Sequence, residues 1–397
     1  MYLSVIAILI IILLVYKQMT TPSKLKGAYL NYSSTNARKN GTLNPSDLAY
    51  PQILESRQDF VGLSRTLCSR INAPRNTKVI INSGATESIA QCVWWAKQYN
   101  QFGIVQGTNY DHTAVKDNCD NFDLTYNDTN LRKNKIMDNC AMLFLTHVDS
   151  KTGEILDIPN FKRNVLDKYD YLYSDKGINP YNKHVRQYKP LVVLDATQSI
   201  NKIPIDMERW GLNAVFFSLH KLGGPIGLGL LFINDTNNTF KPLIAGKQQD
   251  TLRGGTYPLE SVLMSSYIFD RFDDLNERKE RWNEVYDKLT KAGLSVYKPK
   301  GKHLYNTFLI DVKQCPLAII NSLAEKNIYI GNVSACANEQ TTNDTTNDTG
   351  TINGGNTDEP KPFEKAVRIS FMKSKELTNE VVDEIIDTIK SPIGHQI

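Results

Sequence analysis

The stretches "VVLDATQSI" (residues 192–200) and "AVFFSLHKLGGPIGLGLLFI" (residues 214–233) decide the fold. Each begins with a run that is apolar at successive positions, the pattern of a strand buried on both faces of a parallel sheet. The first run closes on Asp195 and Gln198. The second closes on Ser218, His220 and Lys221 and turns at once through GGPIG. Charge at the end of a buried strand is costly and calls for a reason. In open α/β sheets, ligands bind outside the carboxyl ends of the strands, where these side chains would gather.

Working outward, "TKVIINSG" (77–84) reads as a strand ending in a glycine turn, and "ATESIAQCVWWAKQYN" (85–100) as the amphipathic helix after it. "GIVQGT", "FDLTYN" and "AMLFLTHV" continue the strand series. Strands alternating with helices predict an α/β layered domain with a mainly parallel sheet. A long helical segment over residues 259–293 marks the passage to a second unit. There "LYNTFLIDV", "IYIGNV" and "AVRISF" read as strands and "TNEVVDEIIDTIK" as a helix, a smaller α+β C-terminal domain. The expected division is a membrane anchor over 1–20, a large domain over 27–260 and a small domain over 261–397. Residues 337–365, with their TTND repeat, are polar and nearly free of apolar side chains, so they are expected to form a mobile loop.

The chain has 397 residues, 41% hydrophobic and 22% charged, ample for a large core. Its formal charge of +4 comes from 46 basic and 42 acidic residues without a dense basic block, which argues against a nucleic-acid partner. The cysteines Cys68, Cys92, Cys119, Cys140, Cys315 and Cys336 form no CxxC pair and read as reduced thiols. The N-terminal run "MYLSVIAILIIILLVY" is uncharged and almost wholly apolar. It falls short of the roughly 20 residues that span a bilayer comfortably, yet local thinning tolerates such a mismatch. It lacks a basic n-region and a small-residue cleavage site. Lys17, Lys24 and Lys26 follow it, so the expectation is a single N-terminal membrane segment with the catalytic body on the cytoplasmic side. The N-x-[ST] triplets at Asn127, Asn234 and Asn343 are those expected by chance in a chain rich in Asn and Thr.

A lysine flanked by Ser and His at a strand end, with an aspartate on a neighbouring strand, suits pyridoxal 5′-phosphate. That aldehyde needs an amine for its Schiff base, donors for its phosphate and an acid opposite its pyridinium nitrogen. With Asp-x-x-Gln and then Ser-x-His-Lys some twenty residues later, the chain resembles the class V, fold-type I aminotransferases, and within them the NifS-like cysteine desulfurases. The resemblance runs from about Tyr29 to Ile389.

It implies the following roles. "SGATES" (83–88) looks like the phosphate turn, with Ala85 and Thr86 at a helix start. "NYDHTAV" supplies His112 to stack on the cofactor ring. "DATQS" supplies Asp195 for the ring nitrogen and Gln198 for the phenolic oxygen. "SLHK" supplies Ser218 and His220 to the phosphate and Lys221 for the imine. "RGGT" supplies Thr256 to the phosphate of the partner subunit, which implies a homodimer. "SAC" supplies Cys336 as the sulfur-accepting nucleophile, and "VRIS" supplies Arg368 for the substrate carboxylate. The implied activity removes sulfur from L-cysteine, leaving alanine and a persulfide on Cys336, from which a sulfur-acceptor protein would be served.

The chain departs from the family pattern in three places. Asp149-Ser150-Lys151 stands where Asn-Asn-Glu is usual, so Ser150 replaces an asparagine that would reach the phenolic oxygen. Leu219 replaces a glycine, and the TTND tract follows Cys336. Two other readings stay open. One is another class V aminotransferase or lyase acting on a different amino acid. The other is a catalytically impaired, membrane-attached homologue serving as a binding partner.

Overall fold

The computed structural model describes residues 51–128, 135–137, 139–168, 189–270, 274–333 and 365–391. Seven strands form the larger sheet: β1 Lys78–Asn82, β2 Ile104–Gln106, β3 Thr125–Asn127, β4 Cys140–Thr146, β5 Leu191–Asp195, β6 Ala214–Ser218 and β7 Gly229–Ile233. Their order is β1-β7-β6-β5-β4-β2-β3. Neighbours from β6 through β3 run parallel, while β7 lies antiparallel between β1 and β6. The mainly parallel α/β sheet expected from the sequence is what forms.

The continuous apolar runs acquire a physical meaning here. Leu143, Leu145, Val192, Leu194, Val215, Phe217, Leu230 and Phe232 enter one core. The alternating residues Met142, Phe144, Leu191, Val193, Ala214, Phe216, Leu231 and Ile233 enter the other. A strand's side chains alternate sides, so a sheet covered on both faces must be apolar at every position. Each large aliphatic or aromatic side chain so buried is worth about 1.5–3 kcal/mol. Trp95 is fully buried on the second face, edge-on to Phe240, with its indole N–H donating to Thr239 Oγ1 at 2.9 Å. The Trp94–Trp95 pair therefore serves helix packing.

A second, antiparallel sheet has the order β10-β11-β9-β8, from β8 Ser295–Val296, β9 Thr307–Asp311, β10 Gly331–Asn332 and β11 Ala366–Ser370. It packs its own core, in which Trp282 stacks on Phe308 at 5.3 Å. The helix Asn379–Lys390 covers it through Val382, Ile385, Ile386 and Ile389, one stripe at helical spacing.

The single long helical segment expected over 259–293 is instead interrupted. A short helix, Leu259–Met264, passes into a 3₁₀ turn, Ser266–Asp270, and a separate helix runs over Leu275–Lys291. The break has a local cause. Ser265 Oγ donates back to the Ser261 carbonyl at 2.6 Å, which competes with the helical ladder. Asp274 then starts a new helix by accepting from the N–H groups of Asn276 and Glu277.

No helix among the described residues is long and apolar enough to cross a membrane. The apolar run of residues 1–16, the expected mobile loop up to residue 364, and Cys336 lie outside the described residues.

The turn after β7 holds three consecutive non-glycine residues at left-handed angles, Gln249 (φ 47°), Asp250 (55°) and Thr251 (66°). Thr251 is β-branched and exposed, so it carries steric strain without burial to offset it. Thr251→Gly is expected to raise stability by about 1 kcal/mol, the strain relieved exceeding the added chain entropy of glycine. Denaturant unfolding reads this directly; an unchanged or lower midpoint would show that the turn is not strained at this residue.

Candidate active site

The antiparallel insertion of β7 brings the start of the chain's sheet against its middle. Asn82 of β1 lies opposite Gly229 of β7, and Ser218 of β6 is also opposite Gly229. The backbones approach so closely that a Cβ on Gly229 would lie 2.6 Å from the Cα of Gly84. Gly84 itself, at φ 143°, caps the helix Ala85–Tyr99, which has no side-chain cap of its own. Instead the Ala85 N–H donates to Ser218 Oγ at 2.7 Å. Two motifs 133 residues apart thus meet at a helix N-terminus, where free N–H groups and the helix dipole favour an anion. Thr86 is exposed in the first turn.

The "RGGT" loop is tied to the same turn. Arg253 makes a two-pronged pair with Glu87, Nε to Oε1 at 2.9 Å and Nη2 to Oε2 at 3.2 Å. Glu87 Oε2 also accepts from the Ser83 N–H at 2.9 Å. Burial pushes the Glu87 carboxyl up, but the Arg253 and Ser83 donors together hold it below the usual carboxylate value. Gln249 anchors the loop to β1 as a surrogate peptide group. Its Oε1 accepts from the Ile81 N–H at 2.7 Å and its Nε2 donates to the Ile81 carbonyl at 2.9 Å. Thr256 follows, exposed.

Asp195 ends β5 beside β6, buried, with one carboxylate oxygen accepting from the Thr197 N–H at 2.8 Å. Burial raises its pKa, while the Thr197 N–H and the His112 ring act to lower it. A buried carboxylate of this kind is completed by a cationic nitrogen. Gln198 is half-buried in the turn that follows. His220 and Lys221 lie exposed in a 3₁₀ turn just past β6, on the same sheet edge as Asp195. Burial, and then the Lys221 charge, lower the pKa of His220.

His112 is the N-cap of the helix Thr113–Asn121, and its Nδ1 accepts from the Ala114 N–H at 3.1 Å. Ser150 is exposed, and its carbonyl accepts from Arg368 Nη1 at 3.2 Å. Arg368, on β11, is thereby brought against the turn after β4. Helix start, buried acid and edge lysine are the donor set for a group with an anionic end, a cationic ring nitrogen and an aldehyde, so the residues fit pyridoxal phosphate.

With that geometry in hand, residues 177–267 match the family Aminotransferase class-V. The chain is 29% identical over 263 residues to the cysteine desulfurase IscS of Plasmodium falciparum, covering 60% of this chain and 44% of that one. It is 24% identical over 250 residues to IscS of Buchnera aphidicola subsp. Acyrthosiphon pisum, covering 57% and 58%. The chain spans about half the length of these curated relatives. Among solved structures, a NifS-like protein superposes with TM-score 0.67 at 19% identity, over 87% of this chain and 90% of that one. A NifS-like protein from Rickettsia africae gives 0.66 at 17%, over 87% and 91%. The fold is therefore that of the NifS-like proteins, and the resemblance read from the motifs is borne out.

One residue that motif reading passed over stands out. Asp111, next to His112, is half-buried and accepts from Thr108 N–H at 2.8 Å, Thr108 Oγ1 at 2.5 Å, Thr146 Oγ1 at 2.6 Å and Tyr126 O–H at 3.0 Å. It moors the His112 loop to the ends of β3 and β4. Burial pushes its carboxyl up to about 7, against the pull of those donors. Just past the end of β4, buried His147 is lowered by desolvation to about 4.

These shifts oppose each other. Asp111 binds its proton more tightly folded than unfolded, so its contribution is full below about 4 and is lost as pH rises through 7. His147 is the reverse: its contribution is present above 6.5 and is lost as pH falls through 4. The Asp111→Asn variant should therefore show stability rising more steeply between pH 4 and 6.5 than the parent does. Parallel pH profiles from thermal unfolding of the two proteins would remove Asp111 as the titrating group.

Proposed function

We propose that the chain is a pyridoxal-phosphate-dependent cysteine desulfurase-like enzyme. The observation that supports this reading is the meeting of the "SGATES" turn with Ser218 at one end of the sheet edge that also carries Asp195 and Lys221. When bound, the cofactor supplies an electron-withdrawing ring that stabilises negative charge at an amino acid's α-carbon. Everything else falls to the chain. The Thr86 N–H group and the Ser218 and His220 side chains hold the phosphate, with Ala85 setting the helix start beside them. Asp195 holds the proton on the ring nitrogen, and His112 covers the ring. Gln198, with Ser150 in place of an asparagine, faces the phenolic oxygen. The Lys221 amine fixes the aldehyde and moves the α-proton. Arg368 clamps the substrate carboxylate, a role suited to a guanidinium fork.

In this reading Cys336 takes the sulfur. Its thiolate forms an S–S bond with the substrate sulfur as the substrate C–S bond breaks. The electron pair of the broken bond stays with carbon, which is protonated and leaves as alanine. Thr256 serves the partner's phosphate in a homodimer, and a sulfur-acceptor protein relieves Cys336 of its persulfide. A large unit to about residue 260 carries the cofactor and the remainder carries Arg368. The apolar run of residues 1–16 tethers the enzyme to a membrane with this body on the cytoplasmic side.

Purified full-length protein supplied with pyridoxal phosphate should acquire a visible absorbance band that Lys221→Ala loses on dialysis. With L-cysteine it should release alanine, and sulfide when a thiol reductant is present. Cys336→Ala should lower that release by at least tenfold while keeping the band. A colourless parent protein overturns the cofactor reading. Release unchanged in Cys336→Ala overturns the persulfide route and favours a class V lyase acting without it.

A further inference from the structure

The turn between β4 and the following helix reaches across to the second sheet. Asp149 shapes it, accepting from Lys151 N–H, Thr152 N–H and Thr152 Oγ1. Its far limb then joins the 297–304 segment by backbone bonds, Ile155 N–H to the Lys302 carbonyl at 2.8 Å and Leu304 N–H to the Gly153 carbonyl at 3.0 Å. Arg368 reaches the same turn at Ser150.

Glu154 sits in the middle of this junction, and its two carboxylate oxygens face opposite ways. Oε1 accepts from Tyr297 O–H at 3.0 Å and from Lys300 N–H at 2.9 Å, both just beyond β8. Oε2 accepts from Tyr110 O–H at 3.1 Å. Tyr110 lies two residues before His112, in the loop that Asp111 moors to the large sheet. A carboxylate with donors on both oxygens is an orientationally fixed bridge, and hydrogen bonds to a charged group are the stronger kind.

We propose that Glu154 is a positioning residue that sets the spacing between the His112 loop and the unit bearing Arg368. The roles of His112 and Arg368 rest on the function proposed above. Through Tyr110 the carboxylate holds the residue that covers the cofactor. Through Tyr297 and Lys300 it holds the sheet whose β11 presents the guanidinium for the substrate carboxylate. Cofactor retention does not depend on the bridge, because the phosphate turn, Asp195 and Lys221 belong to the large sheet alone. Amino-acid affinity does depend on it, because the amino acid must touch both units at once.

The test uses full-length protein carrying pyridoxal phosphate, with Glu154→Gln, Tyr110→Phe and the pair combined. Titration with L-alanine, followed by the absorbance change, should show affinity weakened about five- to tenfold in each single variant. The double variant should be no weaker than the worse single one, the non-additivity of a shared contact. Cofactor content should stay at the parent level and the visible circular dichroism of the cofactor band should change. Unaltered affinity and dichroism, or independent additive losses, would overturn the proposal. Should the parent acquire no cofactor band, the proposed function falls, and the bridge is read separately by amide hydrogen exchange over residues 109–115. Exchange there should be at least threefold faster in Tyr297→Phe, whose site lies on the other unit. Exchange equal to the parent's would overturn the bridge on its own.

Discussion

The Ser218–Ala85 hydrogen bond is the contact on which the site depends. It exists only because β7 runs against its neighbours and brings β1 to the end of β6. Glycine at position 229 lets the two backbones close to a distance that a Cβ there would prevent, and glycine at 84 takes up the φ of 143° that the turn requires. A helix start and a strand end, remote in the chain, then share one donor–acceptor pair. From that corner the helix dipole, the buried Asp195 and the exposed Lys221 follow as consequences of strand order.

The loops around this corner are fixed by side chains acting as backbone. Gln249 completes the ladder of β1, the Asp149 carboxylate organises its own turn, and His112 caps the helix it precedes. Each substitutes a polar side chain for a missing peptide partner, which is how irregular chain can sit next to a core without orphaned polar groups. The loops are therefore pinned by hydrogen bonds at the end of the sheet that carries Ser218 and Asp195. The second unit meets it through a narrower set of bonds at the 149–155 turn.

Much of the fold was legible because a sheet covered on both sides leaves a blunt signal, unbroken apolar runs such as "LVVLDA" and "AVFFSL". The polar groups at the ends of those runs were legible for the same reason: nothing but a task explains them. The interruption at Ser265 was not, since the stripe of apolar residues on either side continues at helical spacing and masks a one-residue competition for a carbonyl. Asp111 was overlooked because its four donors come from Thr108, Tyr126 and Thr146, on separate segments of chain, and no local motif gathers them. The Glu154 bridge was invisible for a like reason, its partners lying 44 and 143 residues away.

The way Gln249 binds Ile81 bears on how the molecule behaves among its neighbours. β1 is the outermost strand of its sheet, and an outermost strand offers bare peptide groups to which any extended polypeptide can add itself. At Ile81 both of those groups are already taken by the glutamine amide. One side chain thus interrupts the template at its centre, and the protein carries, beside its candidate phosphate turn, a built-in guard against aggregation through that edge.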